Sequence, residues 1–317
     1  MTVLPAHAGE RGPRRIGLGL ASLGRPGYLN VGHGDDLGED RSVEALRARS
    51  FEVLDAAYAA GVRYLDAARS YGRAEEFLGA WLDERRPDDV VVGSKWGYVY
   101  TADWEVDADP PEVKHHDVET LRRQLDETRA LLGDRLALYQ IHSATPDSGV
   151  LENAAVLEEL RDLRATGVAI GVSVSGTAQP ETIDRAVSLG CFDTVQATWN
   201  LHERAAGEAL RRAHDAGMEV LVKEALANGR LTPRVRNPTL ERAANAVGAT
   251  VDAVALAAVL AQPFVDVVLS GAATREALAS NLGAAELRLR QDILDGLAAL
   301  EEDSGEYWTT RSALPWN

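Results

Sequence analysis

Asp66, Tyr71, Lys95 and His142 are side chains whose types and placement could move a proton. The segment LDAARSYGRAEEFLG, residues 65–79, closes an apolar run with Asp66 and sets Tyr71 in a turn directly before Gly72. Gly72 meets the needs of the turn, because glycine takes backbone conformations closed to other residues. The turn has no use for a phenol. Further on, apolar runs end in Lys95, His142, Ser173 and Lys223, and another carries Gln196. A tyrosine near a lysine releases its proton more readily, since the cation favours the phenolate. A carboxylate beside that lysine holds the ammonium, and a histidine within reach orients a carbonyl oxygen. Such a set is a tuned proton donor with no source of electrons, so it implies a cofactor. Taken singly, each residue has a plainer reading: a helix cap for Asp66, a solvated charge for Lys95, core packing for Tyr71 and His142. Their joint occurrence at strand ends favours chemistry.

The elements that must position them follow a repeated pattern. Amphipathic stretches end at Gly61, Gly133, Gly167, Gly190 and Gly217, and a short apolar run follows each. Glycine past a helix end adopts the left-handed cap conformation without steric cost. Pro87 and Pro263 punctuate two further units. The apolar runs predict strands near residues 15–20, 62–66, 90–95, 136–142, 168–173, 193–197, 218–223 and 265–270. Eight such units predict one α/β domain over residues 1–317, a (β/α)8 TIM barrel. A dinucleotide-binding doubly wound sheet is disfavoured, because Gly17, Gly19 and Gly24 do not form its glycine fingerprint. Long loops at 25–41 and 97–116 leave strand ends, and with the tail 303–317 they are expected over the active-site face.

Composition limits the partners. Of 317 residues, 33 are Lys or Arg and 49 are Asp or Glu, a net charge of −16. That excess repels nucleic acid and anionic membranes, and no basic block offsets it. The single cysteine, Cys191, leaves no internal disulfide and no CxxC motif. Neither a signal-peptide core nor a span-length apolar run is present, so a cytoplasmic protein is expected. His115 and His116 precede Asp117, but no third ligand stands at a diagnostic spacing; a solvated loop is expected there and no metal.

Several segments together resemble the aldo-keto reductase family. LDAARSYGRAEEFLG resembles its D-x-A-x-x-Y-G-x-x-E pattern, and VVVGSKWG resembles its lysine strand. LALYQIHSATPD resembles D-x-Y-x-x-H-x-P-D with alanine at the first position, GVAIGVSVSG resembles I-R-x-I-G-V-S-N-F, and SGAATREALASNLGA resembles the P-G-A…E-N segment. The matches are collinear to residue 285. The resemblance implies the barrel and reversible reduction of an aldehyde or ketone with NADP(H) or NAD(H). It makes Tyr71 the general acid, Lys95 and Asp66 its tuning pair, and His142 the group that directs the carbonyl. It assigns Ser173 and Gln196 to the nicotinamide carboxamide, Trp199 to stacking on that ring, and Asn281 to the adenine. Asn228, Gly229 and Arg230 fall in the loop that closes over the pyrophosphate.

Three departures accompany it. The family's Ser-Asn pair reads Ser173-Val174, and its Tyr-Ser-Pro-Leu reads Lys223-Glu224-Ala225-Leu226. Where many members carry a cation for a 2′-phosphate, this chain has Gly271-Ala272-Ala273, with Arg275 the nearest cation. Preference between the two dinucleotides therefore stays open. Tyr28, Trp96, Tyr98 and Trp308 are candidates to line a pocket for a small carbonyl or sugar substrate. Two alternatives accompany the reductase reading: an NAD-dependent aldose dehydrogenase working oxidatively, and a nucleotide-binding regulatory relative with little turnover. Substrate and oligomeric state are not legible.

Overall fold

The computed structural model describes residues 2–317. Eight parallel strands close into a barrel: β1 (Ile16–Gly19), β2 (Tyr64–Asp66), β3 (Val91–Trp96), β6 (Leu136–Ala144), β7 (Ala169–Val174), β8 (Thr194–Thr198), β9 (Glu219–Lys223) and β10 (Val267–Ser270). A short antiparallel hairpin, β4 (Tyr98–Tyr100) and β5 (Glu112–Lys114), stands inside the long loop after β3. Barrel neighbours run β1-β10-β9-β8-β7-β6-β3-β2, and β1 pairs with both β10 and β2, so the barrel sheet has no open edge. All eight expected strands are found.

Side chains alternate across the strands, and this decides what reaches the barrel interior. Tyr64, Leu138, Ala169, Leu221, Val267 and Leu269 pack together inside, with Leu4 beneath them. The opposite faces, carrying Leu65, Val92, Ile141, Val172, Val195 and Val220, meet the surrounding helices. Those helices are Val43–Ala59, Ala74–Arg85, Val118–Leu132, Ala154–Ala165, Gln179–Leu189, Gly207–Asp215, the pair Pro238–Val247 and Val251–Leu260, and Arg275–Leu282. Asp117, beside the two loop histidines, is the N-cap of Val118–Leu132, its Oδ1 accepting from Thr120 N at 2.7 Å. No single helix among the described residues is long and apolar enough to cross a membrane.

The irregular segments cover the carboxyl ends of the strands. Loop 25–41 contains the short helix His33–Leu37, and the tail contains the helix Ser304–Ser312. Leu29 and Trp316 form a β-bridge, and Asn317 Oδ1 accepts from Gly34 N at 2.8 Å. Loop and tail thus build one wall together.

Candidate active site

Tyr71 sits in the turn after β2 because two glycines let two loops touch. A Cβ on Gly24 would lie 2.3 Å from Tyr71 O, and one on Gly72 would lie 2.5 Å from Gly24 O. Gly72 also has φ +58°, and Arg73 N donates to Gly24 O at 2.7 Å. The phenol is thereby held over the end of β3. Lys95, fully buried, directs its ammonium to Asp66 Oδ2, to Ala67 O at 3.0 Å and to Tyr71 Oη at 3.4 Å. All three of its donors are used. Asp66 Oδ1 accepts from Tyr64 Oη at 3.1 Å and from Gln196 Nε2 at 3.2 Å.

His142, at the end of β6, meets the Tyr71 ring edge-on at 5.4 Å and the Tyr98 ring at 5.0 Å. Burial first, and the cations Lys95, Lys223 and Arg25 next, hold its imidazole well below the usual histidine range, so it is neutral at pH 7. Tyr71 differs from expectation. Burial, and then Asp66, lift its phenol well above the ordinary value, while Arg25 pulls the other way. The charge of Lys95 is matched by Asp66 in a buried pair, which leaves less of it for the phenol. The Tyr71 phenol therefore keeps its proton at neutral pH.

Both groups open into a cavity of about 630 Å³ at the carboxyl ends of the strands. Its walls include Tyr28, Tyr98, Gln196, Lys223, Asn228, Gly229, Gly271 and Asn281. Ser173 and Gln196 are register partners on β7 and β8, and Ser173 Oγ and Gln196 Oε1 are buried without partners; Gln196 lines the cavity, whereas Ser173 lies behind its wall. A hydroxyl donor beside an amide acceptor suits a carboxamide, which offers one oxygen and one NH₂. Asn228 Oδ1 is likewise unpartnered, while its Nδ2 donates to Leu29 O at 2.8 Å. Asn281 Nδ2 donates to Ser270 Oγ at 2.8 Å. Donors and acceptors of these kinds along one cavity fit a nicotinamide dinucleotide.

Five expected residues lie elsewhere. Trp199 turns outward, edge-on to Phe264 at 6.1 Å and beneath Arg204. It lies three residues past Gln196, an odd step that puts it on the other face of the strand. Trp96 follows the inward Lys95 and for the same reason is buried among the outer helices, against His116. Trp308 packs on Tyr307 behind the tail. Arg230 pairs with Glu302 at 2.5 Å and lies off the cavity wall. Arg275 is exposed on the first turn of Arg275–Leu282, also off the wall. His116 Nε2 meets His142 O at 2.9 Å, tying the long loop to β6, and His115 is exposed.

Other residues were missed by sequence reasoning. Arg25, Glu112, Glu224, Asp252, Arg311 and Trp316 all line the cavity. Glu224 accepts from Arg311 Nε at 2.9 Å; burial pushes its carboxyl up, but Arg311 and Lys223 bring it down to about 2. Lys223, with Thr198 Oγ1 at 3.1 Å and Glu224 at 4.0 Å, is lowered by burial to about 8, against the pull of Glu224. Glu224, Ala227 and Asn228 have φ of 53°, 48° and 53°, a strained turn of the kind found at functional sites. Positive φ at non-glycine residues leaves no mark in a sequence, and the loops carry no periodicity to read.

A closed parallel barrel with a tyrosine, lysine, aspartate and histidine at its mouth, beside unpartnered polar atoms, is the architecture of a nicotinamide-dependent oxidoreductase. The chain belongs to the aldo-keto reductase family, whose model, described as "Aldo/keto reductase family", matches residues 15–302. It is 25% identical to the NADH-specific methylglyoxal reductase of Escherichia coli over 87% of this chain and 90% of that one. It is 29% identical to the D-threo-aldose 1-dehydrogenase of a Pseudomonas species over 61% of this chain and 62% of that one. A solved thermostable aldo-keto reductase, in complex with the inhibitor epalrestat, superposes with a TM-score of 0.68 at 26% identity, covering 90% and 94% of the two chains. The family works with NAD(H) or NADP(H) on small carbonyl, alcohol or sugar substrates.

Proposed function

We propose that this oxidoreductase interconverts a carbonyl and an alcohol with Tyr71 as the proton donor, His142 as the orienting group and NAD(H) as the favoured cofactor. The observation that carries the reading is the meeting of Tyr71, Asp66 and His142 at one cavity wall, with Lys95 bonded to Tyr71 and Asp66 from behind it and the unpartnered Gln196 oxygen on the same wall. The nicotinamide, when bound, supplies the hydride. A carbonyl oxygen seated between Tyr71 Oη and the His142 ring accepts hydrogen bonds from both. As negative charge grows on that oxygen, the phenol O–H passes its proton to it. Lys95, 3.4 Å from Oη, faces the phenolate that remains, and Asp66 keeps the ammonium in place. In reverse, the phenolate takes the proton of an alcohol. Tyr28, Tyr98 and Trp316 exclude water from the seat.

NAD(H) is favoured by the far end of the cavity, which the family resemblance gives to the adenosine. Gly271, Ala272, Ala273, Ala277 and Ser280 line it, and Asp252 accepts from Ser280 Oγ at 2.9 Å. A 2′-phosphate would face that carboxylate, whereas a ribose hydroxyl can donate to it. The NADH-specific Escherichia coli relative points the same way. An NAD preference, together with a mouth lined by charged and aromatic side chains, also supports oxidation of a sugar, the reaction named for the Pseudomonas relative.

The test is steady-state reduction of DL-glyceraldehyde and 4-nitrobenzaldehyde with NADH and NADPH, by wild type and Tyr71→Phe, with aldoses and NAD+ in reverse. The expected kcat/KM with NADH is at least about tenfold that with NADPH, a difference of about 1.4 kcal/mol. Equal activity of Tyr71→Phe would remove the proton-donor role, and a decisive NADPH preference would remove the cofactor reading.

A further inference from the structure

Arg25 has no part in the chemistry described so far, yet it touches the reacting tyrosine. It lies in the loop after β1, buried at 2% exposure. Its guanidinium carbon is 5.3 Å from the centre of the Tyr71 ring, 5.0 Å from that of Tyr28 and 4.5 Å from that of Trp316. Nη1 donates to Ser70 O at 3.1 Å, the carbonyl next to Tyr71, and to Glu112 Oε2 at 3.0 Å on β5. Nε has no partner. Four separate parts of the chain therefore meet on one buried cation: the loop after β1, the Tyr71 turn, the hairpin and the tail. Guanidinium groups suit this use, because they stay charged and stack on aromatic faces.

We propose that Arg25 is a positioning residue for Tyr71, clamping its ring and supplying the positive charge that eases departure of its proton, with Glu112 as the opposing charge. The inference rests on the reading of Tyr71 as proton donor. The ionisable groups around the phenol are Asp66 and Tyr64 from β2, Lys95 from β3 and His142 from β6. Arg25 and Tyr28 stand in the first loop, Glu112 on β5, and Lys223 and Glu224 at the end of β9. Lys95 is matched by Asp66, and Glu224 by Arg311. His142 is neutral. In the Arg25–Glu112 pair the cation lies over the Tyr71 ring and the anion bonds the guanidinium. Arg25 works to ease ionisation of Tyr71, and Glu112 works against it. Both belong to loops, so the pH range of catalysis is set outside the barrel that holds the chemistry.

Oxidation of an alcohol needs the phenolate, so below the phenol's pKa its rate follows the ionised fraction. The experiment is the pH dependence of kcat for glycerol and 4-nitrobenzyl alcohol with NAD+, in wild type, Arg25→Met, Arg25→Lys, Glu112→Gln and Tyr71→Phe. A unit charge about 5 Å away in a partly solvated site moves the profile by roughly one pH unit. Arg25→Met is expected to shift it upward, about tenfold slower at fixed pH, and Arg25→Lys to fall between it and wild type. Glu112→Gln is expected to shift it downward, faster than wild type at fixed pH. A clamp that acted through structure alone would be broken from either side, and Arg25→Met and Glu112→Gln would both be slower. Shifts in the same direction, or no shifts, overturn the proposal while the Tyr71 reading stands. Should Arg25→Met not fold, the sign of the Glu112→Gln shift decides. Wild type without turnover, or Tyr71→Phe with full turnover, overturns the Tyr71 reading and this inference with it.

Discussion

The barrel buries charged groups at both ends, and the two ends treat them differently. At the amino end, Asp266 accepts from Val220 N at 2.7 Å and Ala8 N at 2.8 Å. Glu219 accepts from Val3 N at 2.8 Å and Leu4 N at 3.2 Å. Arg15 caps the carbonyls of Leu260, Val265 and Asp266. None of these three side chains has a buried atom without a partner. At the carboxyl end, Ser173 Oγ, Gln196 Oε1, Asn228 Oδ1 and Arg25 Nε are all buried and unpartnered. A buried polar atom left unpaired costs about 1–3 kcal/mol. The lower set closes the barrel with the segment before β1; the upper set leaves polar atoms with no protein partner. Buried charge at a strand end is thus no mark of function by itself. Unsatisfied polarity facing a cavity is the stronger mark.

The largest expected effects separate the two ends. Tyr71→Phe should lower kcat by about 10²–10⁴ while its melting temperature matches wild type, checked by turnover beside scanning calorimetry. Asp266→Ala should do the opposite. It strands the amides of Val220 and Ala8 and is expected to cost about 3–5 kcal/mol in denaturant unfolding, with kcat per folded molecule unchanged. If Asp266→Ala lost turnover at full stability, the division between the ends would fail.

Smaller effects sharpen it. Ser173→Ala should weaken nucleotide binding about five- to tenfold by titration calorimetry, an order of 1 kcal/mol, with unchanged or raised stability, since an unpaired hydroxyl is removed. A drop in stability without a change in affinity would make Ser173 structural. Acid should act chiefly on the upper end, where the buried His33 and His142 and the half-buried His116 are neutral. Burial, with neighbouring cations, lowers His33 to about 3 and His116 to about 4, and holds His142 well below its usual range. Folded values below the unfolded one give stability that is present above about 6.5 and lost as pH falls toward the folded values. The slope is about 1.4 kcal/mol per pH unit for each proton that only the unfolded chain takes up. His33→Gln should flatten that fall in melting temperature between pH 6.5 and 4. Lastly, Lys223 loses its charge as pH rises through about 8. Affinity for the anionic nucleotide should weaken from pH 7 to 9 in wild type and stay flat in Lys223→Met.

The barrel was legible because it is written in long, regular signals. Eight apolar runs fell within a few residues of the observed strands, and inward residues such as Asp66, Lys95 and Gln196 came with them. Errors at Trp96 and Trp199 came from reading strand ends without their alternation: each lies an odd number of residues from an inward neighbour. The hairpin β4–β5 was not foreseen, since Tyr98–Tyr100 and Glu112–Lys114 are three residues each and too short to carry a period. Arg25, Glu224, Arg311 and Trp316 could not be placed, because their meeting is a tertiary event between loops and tail. Nothing local distinguishes Arg25 from the surface arginines.

The chain has six tryptophans, and Trp316 alone of them lines the main cavity. Trp81, Trp96 and Trp104 pack with the barrel core, and Trp199 and Trp308 lie behind other walls. The molecule therefore carries an optical probe at its entrance. An uncoloured ligand that quenches by contact meets one indole directly, the one beside Arg25. Trp316→Phe would leave five indoles emitting and remove that direct contact signal.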